Sequence, residues 1–227
     1  MAGTSQEIVV EDDGAHIRGT WTTVSPSRGV VIFAHGSGSS RSSPRNVRVA
    51  TVLQRAGYST LLLDLLTEQE SIVDERTARP RFDVPLLARR VVAAIDMLRR
   101  ASATSGAPVA LFGASTGAAA ALVAASARPL AVAAVVSRGG RPDLAGDALP
   151  LVRAPTLLIV GGNDPDVLAL NESALQRLRV PRELAVVPGA THLFSEPGAL
   201  DHVAGLARTW LDRFIPWQDV DVVTEAP

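Results

Sequence analysis

Six short, almost wholly apolar runs, rich in Val, Leu and Ala, recur along the chain at residues 30–34, 60–63, 108–112, 131–136, 155–160 and 184–187. A strand built from such a run has no polar face to turn to water, so it must be covered on both sides. Crossover helices give that cover, and the pattern therefore predicts a mostly parallel sheet with helices on both faces. The stretches between the runs carry helix signals. Ser43 followed by Pro44 reads as a helix start with Gly57 as its stop. Asp83 precedes a helix whose Leu87, Val91, Ile95 and Leu98 share one face. Ser195 reads as the cap of a last helix striped by Leu200, Val203, Leu206, Ala207, Trp210, Leu211 and Phe214.

Ahead of this alternation lie two shorter segments, at residues 7–10 and 15–24, joined by Asp12-Asp13-Gly14. An Asp-Gly pair between extended runs predicts a β-hairpin. No composition break, linker or repeat divides residues 1–217, which read as one α/β domain, and residues 218–227 read as a loose acidic tail. With 47% hydrophobic residues the chain has material for a full core. No apolar run approaches the roughly 20 residues a membrane-spanning helix needs. The first ten residues lack the basic start and apolar run of a signal peptide. A cytoplasmic protein without a membrane partner is expected.

Composition also removes chemistries. The formal net charge is −1, so no field of one sign favours nucleic acid. Cysteine is absent, which excludes disulfides, thiolate metal sites and a cysteine nucleophile. Lysine is absent too, and all 22 basic residues are arginine. Schiff-base chemistry and a Walker-type phosphate loop both need that ammonium. Covalent chemistry is left to Ser, Thr, a carboxylate, His or the lone Tyr58.

In open parallel sheets, chemistry gathers at the carboxyl ends of the strands. The run at 108–112 ends in Gly113-Ala114-Ser115-Thr116-Gly117, and an alanine-rich helical stretch comes next. This is G-x-S-x-G between strand and helix, the setting in which a tight turn presents a serine oxygen at the positive end of a helix. Small residues are needed two places either side, because the chain passes close to itself. Ser115 is the candidate nucleophile.

A serine hydroxyl needs a base. Of four histidines, His16 lies in the hairpin, His202 lies within the last helix, and His35 ends the 30–34 run. His192 sits in Pro188-Gly189-Ala190-Thr191-His192, a loop after the last strand, and is the candidate base. Asp164, reached through Gly161-Gly162-Asn163 and followed by Pro165, is the candidate acid that orients it. Asp166 and Asp143 are alternatives. The order Ser115, Asp164, His192 is the Ser…Asp…His order of α/β-hydrolases. For the oxyanion, two N–H donors are expected: Thr116, and Ser37 from the loop His35-Gly36-Ser37-Gly38, with Gly36 as the alternative.

These residues carry a resemblance. His35-Gly36-Ser37-Gly38, Asp64, Gly113-Ala114-Ser115-Thr116-Gly117, Gly161-Gly162-Asn163-Asp164 and Gly189-Ala190-Thr191-His192 together resemble the α/β-hydrolase superfamily, and within it the small dienelactone-hydrolase-like enzymes. The resemblance implies the α/β-hydrolase fold and a Ser-His-Asp hydrolase with no cofactor and no metal. Dienelactone hydrolases carry cysteine at the nucleophile position, whereas this chain carries Ser115.

The expected function is therefore hydrolysis of an ester or related acyl bond in a small molecule through an acyl-enzyme. The same triad also serves acyl transfer, thioester cleavage and carbon–carbon hydrolysis, and the fold also occurs in non-catalytic ligand-binding proteins. Only about 18 residues separate the 131–136 run from Pro155, too few for a cap domain. The polar stretch 65–81 reads as one long loop beside the active edge. Arginines gather in these edge loops, with Arg138 and Arg141, then Arg41 and Arg45, as candidates for binding an anionic group of the substrate; Arg76, Arg79 and Arg81 lie nearby. The sequence carries no signal of oligomeric state.

Overall fold

In a computed structural model, residues 3–217 are described; the acidic end expected to be a tail lies outside them. The hairpin is present as β1 (Thr4–Asp12) and β2 (Ala15–Thr23), antiparallel throughout. Asp13 and Gly14 turn it with φ of 49° and 77°, the left-handed pair whose twist matches that of the strands.

The apolar runs form β3 (Gly29–Ala34), β4 (Tyr58–Leu63), β5 (Val109–Ala114), β6 (Val132–Arg138), β7 (Thr156–Gly161) and β8 (Arg182–Val187). The eight strands make one sheet in the order β1-β2-β4-β3-β5-β6-β7-β8. From β4 across to β8 every neighbouring pair is parallel. All residues of β3, β4, β5 and β7 are buried, whereas β8, at the edge, is half open to solvent. This is the two-sided burial that the uninterrupted apolar runs require.

Six helices supply the cover: α1 (Pro44–Arg55), α2 (Glu68–Thr77), α3 (Val84–Arg100), α4 (Thr116–Ala127), α5 (Pro165–Arg177) and α6 (Ala199–Phe214). Alternate side chains of each strand feed two cores. Ile32 and Leu111 pack with Val91 and Ile95 of α3 and Leu122 of α4. Phe33 and Phe112 point the other way, onto Val49 and Leu53 of α1 and Val203 and Trp210 of α6. Ala118 to Ala121 of α4 are fully buried. Alanine loses no side-chain entropy there and lets the helix lie close to the sheet. The connection from β6 to β7 holds only a 3₁₀ segment, Pro142–Leu151, and inserts no cap among the described residues.

Two caps are as expected. The Ser43 hydroxyl accepts from Asn46 N–H at 3.5 Å, and Asp83 accepts from Leu86 N–H at 3.0 Å. Ser195 is not a cap. A turn closed by Ala199 N–H on Glu196 C=O, with Gly198 at φ 79°, stands between it and α6. The stretch after β4 is not one long loop either: it holds α2. The sequence signal is a capping box, Thr67 with Glu70 three places on. The Thr67 hydroxyl accepts from Glu70 N–H at 3.1 Å, and Glu70 Oε2 accepts from Thr67 N–H at 2.7 Å.

Glu70 has a second task. Arg90 of α3 is 4% exposed and pairs with Glu70 on one side and with Asp12, at the hairpin turn, on the other. One buried guanidinium thus ties hairpin, α2 and α3 together. Tyr58 is also structural. Its hydroxyl donates to Asp212 of α6 at 3.0 Å, and burial together with that carboxylate pushes its pKa well above its ordinary value.

The chain leaves β3 toward β4 on one side of the sheet and returns through β5 on the other. The carboxyl ends of β3 and β5 therefore border the switch-point crevice where ligands bind in such sheets. The loop after β3 is held from within. His35 is 8% exposed; its Nε2 accepts from Leu65 N–H at 3.1 Å, so its Nδ1 carries the proton and donates to Gly36 C=O at 2.9 Å. Burial holds the His35 pKa below 6.5.

Arg90→Met leaves Asp12 and Glu70 unpaired and is expected to cost about 3 kcal/mol in urea denaturation, the scale of a broken buried ion pair. For His35 the expectation concerns pH. Because its folded-state pKa is depressed, its contribution is present above the unfolded value of 6.5 and is lost as pH falls toward the folded value. The gap in urea midpoint between wild type and His35→Gln should therefore narrow between pH 8 and pH 5.5. A gap that widens on acidification would show that His35 is held protonated.

Candidate active site

Ser115 lies between β5 and α4 with φ 50° and ψ −122°, a strained backbone for a residue with a side chain. Packing enforces it. A Cβ on Gly117 would stand 2.3 Å from the carbonyl oxygens of both Ala34 and His35, and one on Gly113 would stand 2.4 Å from Ala118 Cα. Only glycine lets α4 start so close to the ends of β3 and β5. The turn is also tied to the end of β6 and the loop beyond it: Ser115 N–H donates to Arg138 C=O at 3.3 Å, and Arg141 N–H donates to Ser115 C=O at 3.1 Å.

Ser115 and His192 line one small cavity of about 170 Å³ with Gly36, Ser37, Arg45 and Arg138. His192 Nδ1 stands 2.7 Å from Asp164 Oδ2. A carboxylate only accepts, so Nδ1 carries the proton and, in the neutral ring, Nε2 is left with a lone pair. Asp164 stands at the start of α5, yet its side chain makes no capping bond there. The two loops are laced together. Asn163 N–H donates to Ala190 C=O at 2.9 Å, and the Asn163 side-chain amide donates to Gly189 C=O at 3.0 Å. Asp166 is exposed at the first turn of α5, and Asp143 is engaged by Arg141 at 2.8 Å, so neither alternative acid reaches His192.

The donors expected for an oxyanion meet at the same place. The hydroxyls of Ser37 and Thr116 are 3.2 Å apart. Thr116 opens α4, so its N–H has no acceptor within the helix. Among the described residues no carbonyl takes the N–H of Ser37. Gly36, the alternative, packs against the Ser115 turn; a Cβ on it would lie 2.9 Å from Ser115 Cβ.

The four arginines singled out in the sequence divide in two. Arg41 pairs with Asp64 at 2.8 Å and with Glu7 at 2.6 Å, and the Glu7 bond leads the causes that hold its pKa up. Arg141 pairs with Asp143. Arg45 and Arg138 have no carboxylate partner among the described residues, and both line the Ser115 cavity. Arg138 is 6% exposed, with its guanidinium carbon 5.8 Å from the centre of the Phe194 ring. Phe194 is buried and held at φ 54°. Sequence motifs do not mark it, although an apolar pair, Leu193-Phe194, directly after His192 is a signal that this loop is anchored.

A larger cleft of about 1020 Å³ lies beside the loop after β3, bordered by the hairpin and α2. Its arginines Arg18, Arg41 and Arg81 are all paired, Arg18 with Glu68 at 3.5 Å and Arg81 with Asp74 at 2.7 Å. Among the described residues no helix is long and apolar enough to cross a membrane.

Comparison with known proteins agrees with the fold. A solved dienelactone hydrolase from Anabaena variabilis is 52% identical, covers 95% of this chain and all of its own, and superposes with a TM-score of 0.92. Est1E from Butyrivibrio proteoclasticus, at 14% identity, shares the fold alone: TM-score 0.77, over 92% of this chain and 98% of its own. Two curated proteins from Mycobacterium tuberculosis strains are 53% identical over 205 residues, 90% of this chain; both are provisionally named phosphoribosyl transferases. The chain spans only 45% of their length. The pattern of the Dienelactone hydrolase family matches residues 14–217, and with that match the chain, an α/β-hydrolase fold built around a serine elbow, belongs to the dienelactone hydrolase family.

Proposed function

We propose that this protein is a serine hydrolase acting on an ester or closely related acyl bond of a small molecule. The observation that carries the reading is the meeting, in one cavity, of a serine on a strained strand-to-helix turn and a histidine whose far nitrogen is held by Asp164. His192 Nε2 takes the proton as Ser115 Oγ attacks the acyl carbon. The carbonyl oxygen becomes an oxyanion, and the N–H groups of Ser37 and Thr116 receive it. The C–O bond to the leaving group breaks, and His192 returns the proton to that oxygen. Water then repeats the sequence on the acyl-enzyme and frees Ser115. Asp164 fixes the tautomer and offsets the charge on the imidazolium.

Serine in place of cysteine has a consequence. A serine hydroxyl depends wholly on the base for its activation, whereas a thiol already supplies some thiolate near neutral pH. The Asp164–His192 pair is therefore indispensable here. The transferase name of the curated relatives describes proteins more than twice as long as the matched segment, and it gives no ground for assigning transfer of a phosphoribosyl group to this chain.

A fluorophosphonate probe should label the native protein, and Ser115→Ala should abolish labelling. Persistent labelling of Ser115→Ala would move the nucleophile elsewhere. Asp164→Asn is expected to keep the fold but lower kcat for p-nitrophenyl acetate on the order of a thousandfold or more, because the ring is left in the wrong tautomer. A loss of less than tenfold would remove Asp164 from the triad.

A further inference from the structure

Most charged side chains in the loops at the active edge of this protein are matched. Arg41, Arg81 and Arg141 each have a carboxylate within 2.8 Å. The cavity holding Ser115 is the exception. It is lined by two arginines and, among the described residues, by no carboxylate; Asp164 is bonded to His192 behind its wall. Arg138 sits at the carboxyl end of β6, held against the Phe194 ring and almost wholly buried. Arg45 is half-buried in the first turn of α1, whose positive end faces the same space. The Nε–H groups of both arginines are buried without an acceptor among the described residues.

A buried, unpaired guanidinium is costly to a fold, and two that repel one another cost more. Burial and the positive charge of Arg45 pull the Arg138 pKa down to about 10, so it remains charged at neutral pH. Stacking on Phe194 offsets only part of that cost, and no carboxylate among the described residues offsets the rest. A cost of this kind at a reactive serine is met when a ligand brings the missing negative charge.

We propose that Arg45 and Arg138 form a substrate-binding site for a dianionic phosphate group, placed beside the acyl carbon that Ser115 attacks, so that the substrate is a phosphorylated ester. The choice of phosphate rests on charge. Two guanidiniums call for two negative charges. A carboxylate would leave one cation unmatched in a buried site, whereas a phosphate monoester near pH 7 carries close to two charges and three acceptor oxygens for planar forks. The side chain of Ser39, also on the cavity wall, offers a further hydroxyl. This assignment rests on the proposed role of Ser115, but the binding it predicts can be read without turnover.

The test uses inorganic phosphate on the full chain, with acetate and chloride matched for ionic strength, and tracks the melting temperature. Phosphate should raise it saturably, while acetate and chloride should not. Phosphate should also slow fluorophosphonate labelling of Ser115 in a competitive manner. In Arg138→Met and in Arg45→Met the half-saturating phosphate concentration should rise roughly tenfold or more, as expected for loss of a charge-assisted contact. Arg138→Met without ligand should melt at or above the wild-type temperature. A structural arginine would melt lower instead, and that result would overturn the assignment. Should Arg138→Met fail to fold, the half-buried Arg45→Met carries the test alone. Equal shifts with phosphate and chloride, or phosphate binding unchanged in Arg45→Met, would remove the site. Acetate acting as well as phosphate would overturn the dianion. Absence of labelling with phosphate binding intact would reject the hydrolase reading and leave the anion site standing.

Discussion

The contact on which the rest depends is the one between the start of α4 and the ends of β3 and β5. There is no space for a side chain at Gly117, where the carbonyls of Ala34 and His35 close in, or at Gly113 beside Ala118. Because the backbone is squeezed at both places, Ser115 is left with a positive φ. The strain is local, and the two buried cores on either side of the sheet support it. What it achieves is position. Ser115, the first N–H of α4 and the loop after β3 are brought to one point.

The other partners reach that point along independent lines. Asp164 comes from the end of β7 and His192 from the end of β8, and their loops share backbone hydrogen bonds. His35 performs the same service for the loop after β3, bonding at once to Gly36 and to Leu65. Neutral, it can accept at one nitrogen and donate at the other; protonated, it could not accept from Leu65. A buried neutral histidine thus braces the loop after β3, while a half-exposed one beside Ser115 is itself braced by Asp164.

Much of this is legible in the sequence because it is written in local terms. Uninterrupted apolar runs demand two-sided burial, and Asp13-Gly14 demands a left-handed turn. G-x-S-x-G between strand and helix demands an elbow. The order of Ser115, Asp164 and His192 is then set by the direction of the chain. What escapes a sequence reading falls into two kinds. The helix α2 is hidden although Thr67 and Glu70 announce it, because the stretch is polar and has no apolar stripe, so the periodicity that reveals other helices is missing. The cap of α6 is expected too early because Ser195 is a good capping residue, whereas the start is set by Gly198 and the turn before it.

The arginines are beyond the reach of sequence for a different reason. With no lysine in the chain, every positive charge is an arginine, and the residue type cannot separate a solvated surface group from a binding group. Only pairing separates them, and pairing is decided by tertiary structure. Arg41 meets Glu7 from a strand of the hairpin, 34 residues away in sequence, and Arg90 gathers Asp12 and Glu70 from two more elements. The weak hydration and planar fork of the guanidinium suit it to such buried pairs. The same property lets Arg138 stay buried against Phe194 with no carboxylate partner among the described residues, where a more strongly hydrated ammonium would lose more on giving up its water. Against so many matched arginines, a pair beside Ser115 with no carboxylate partner among the described residues is a departure that burial and charge together make visible.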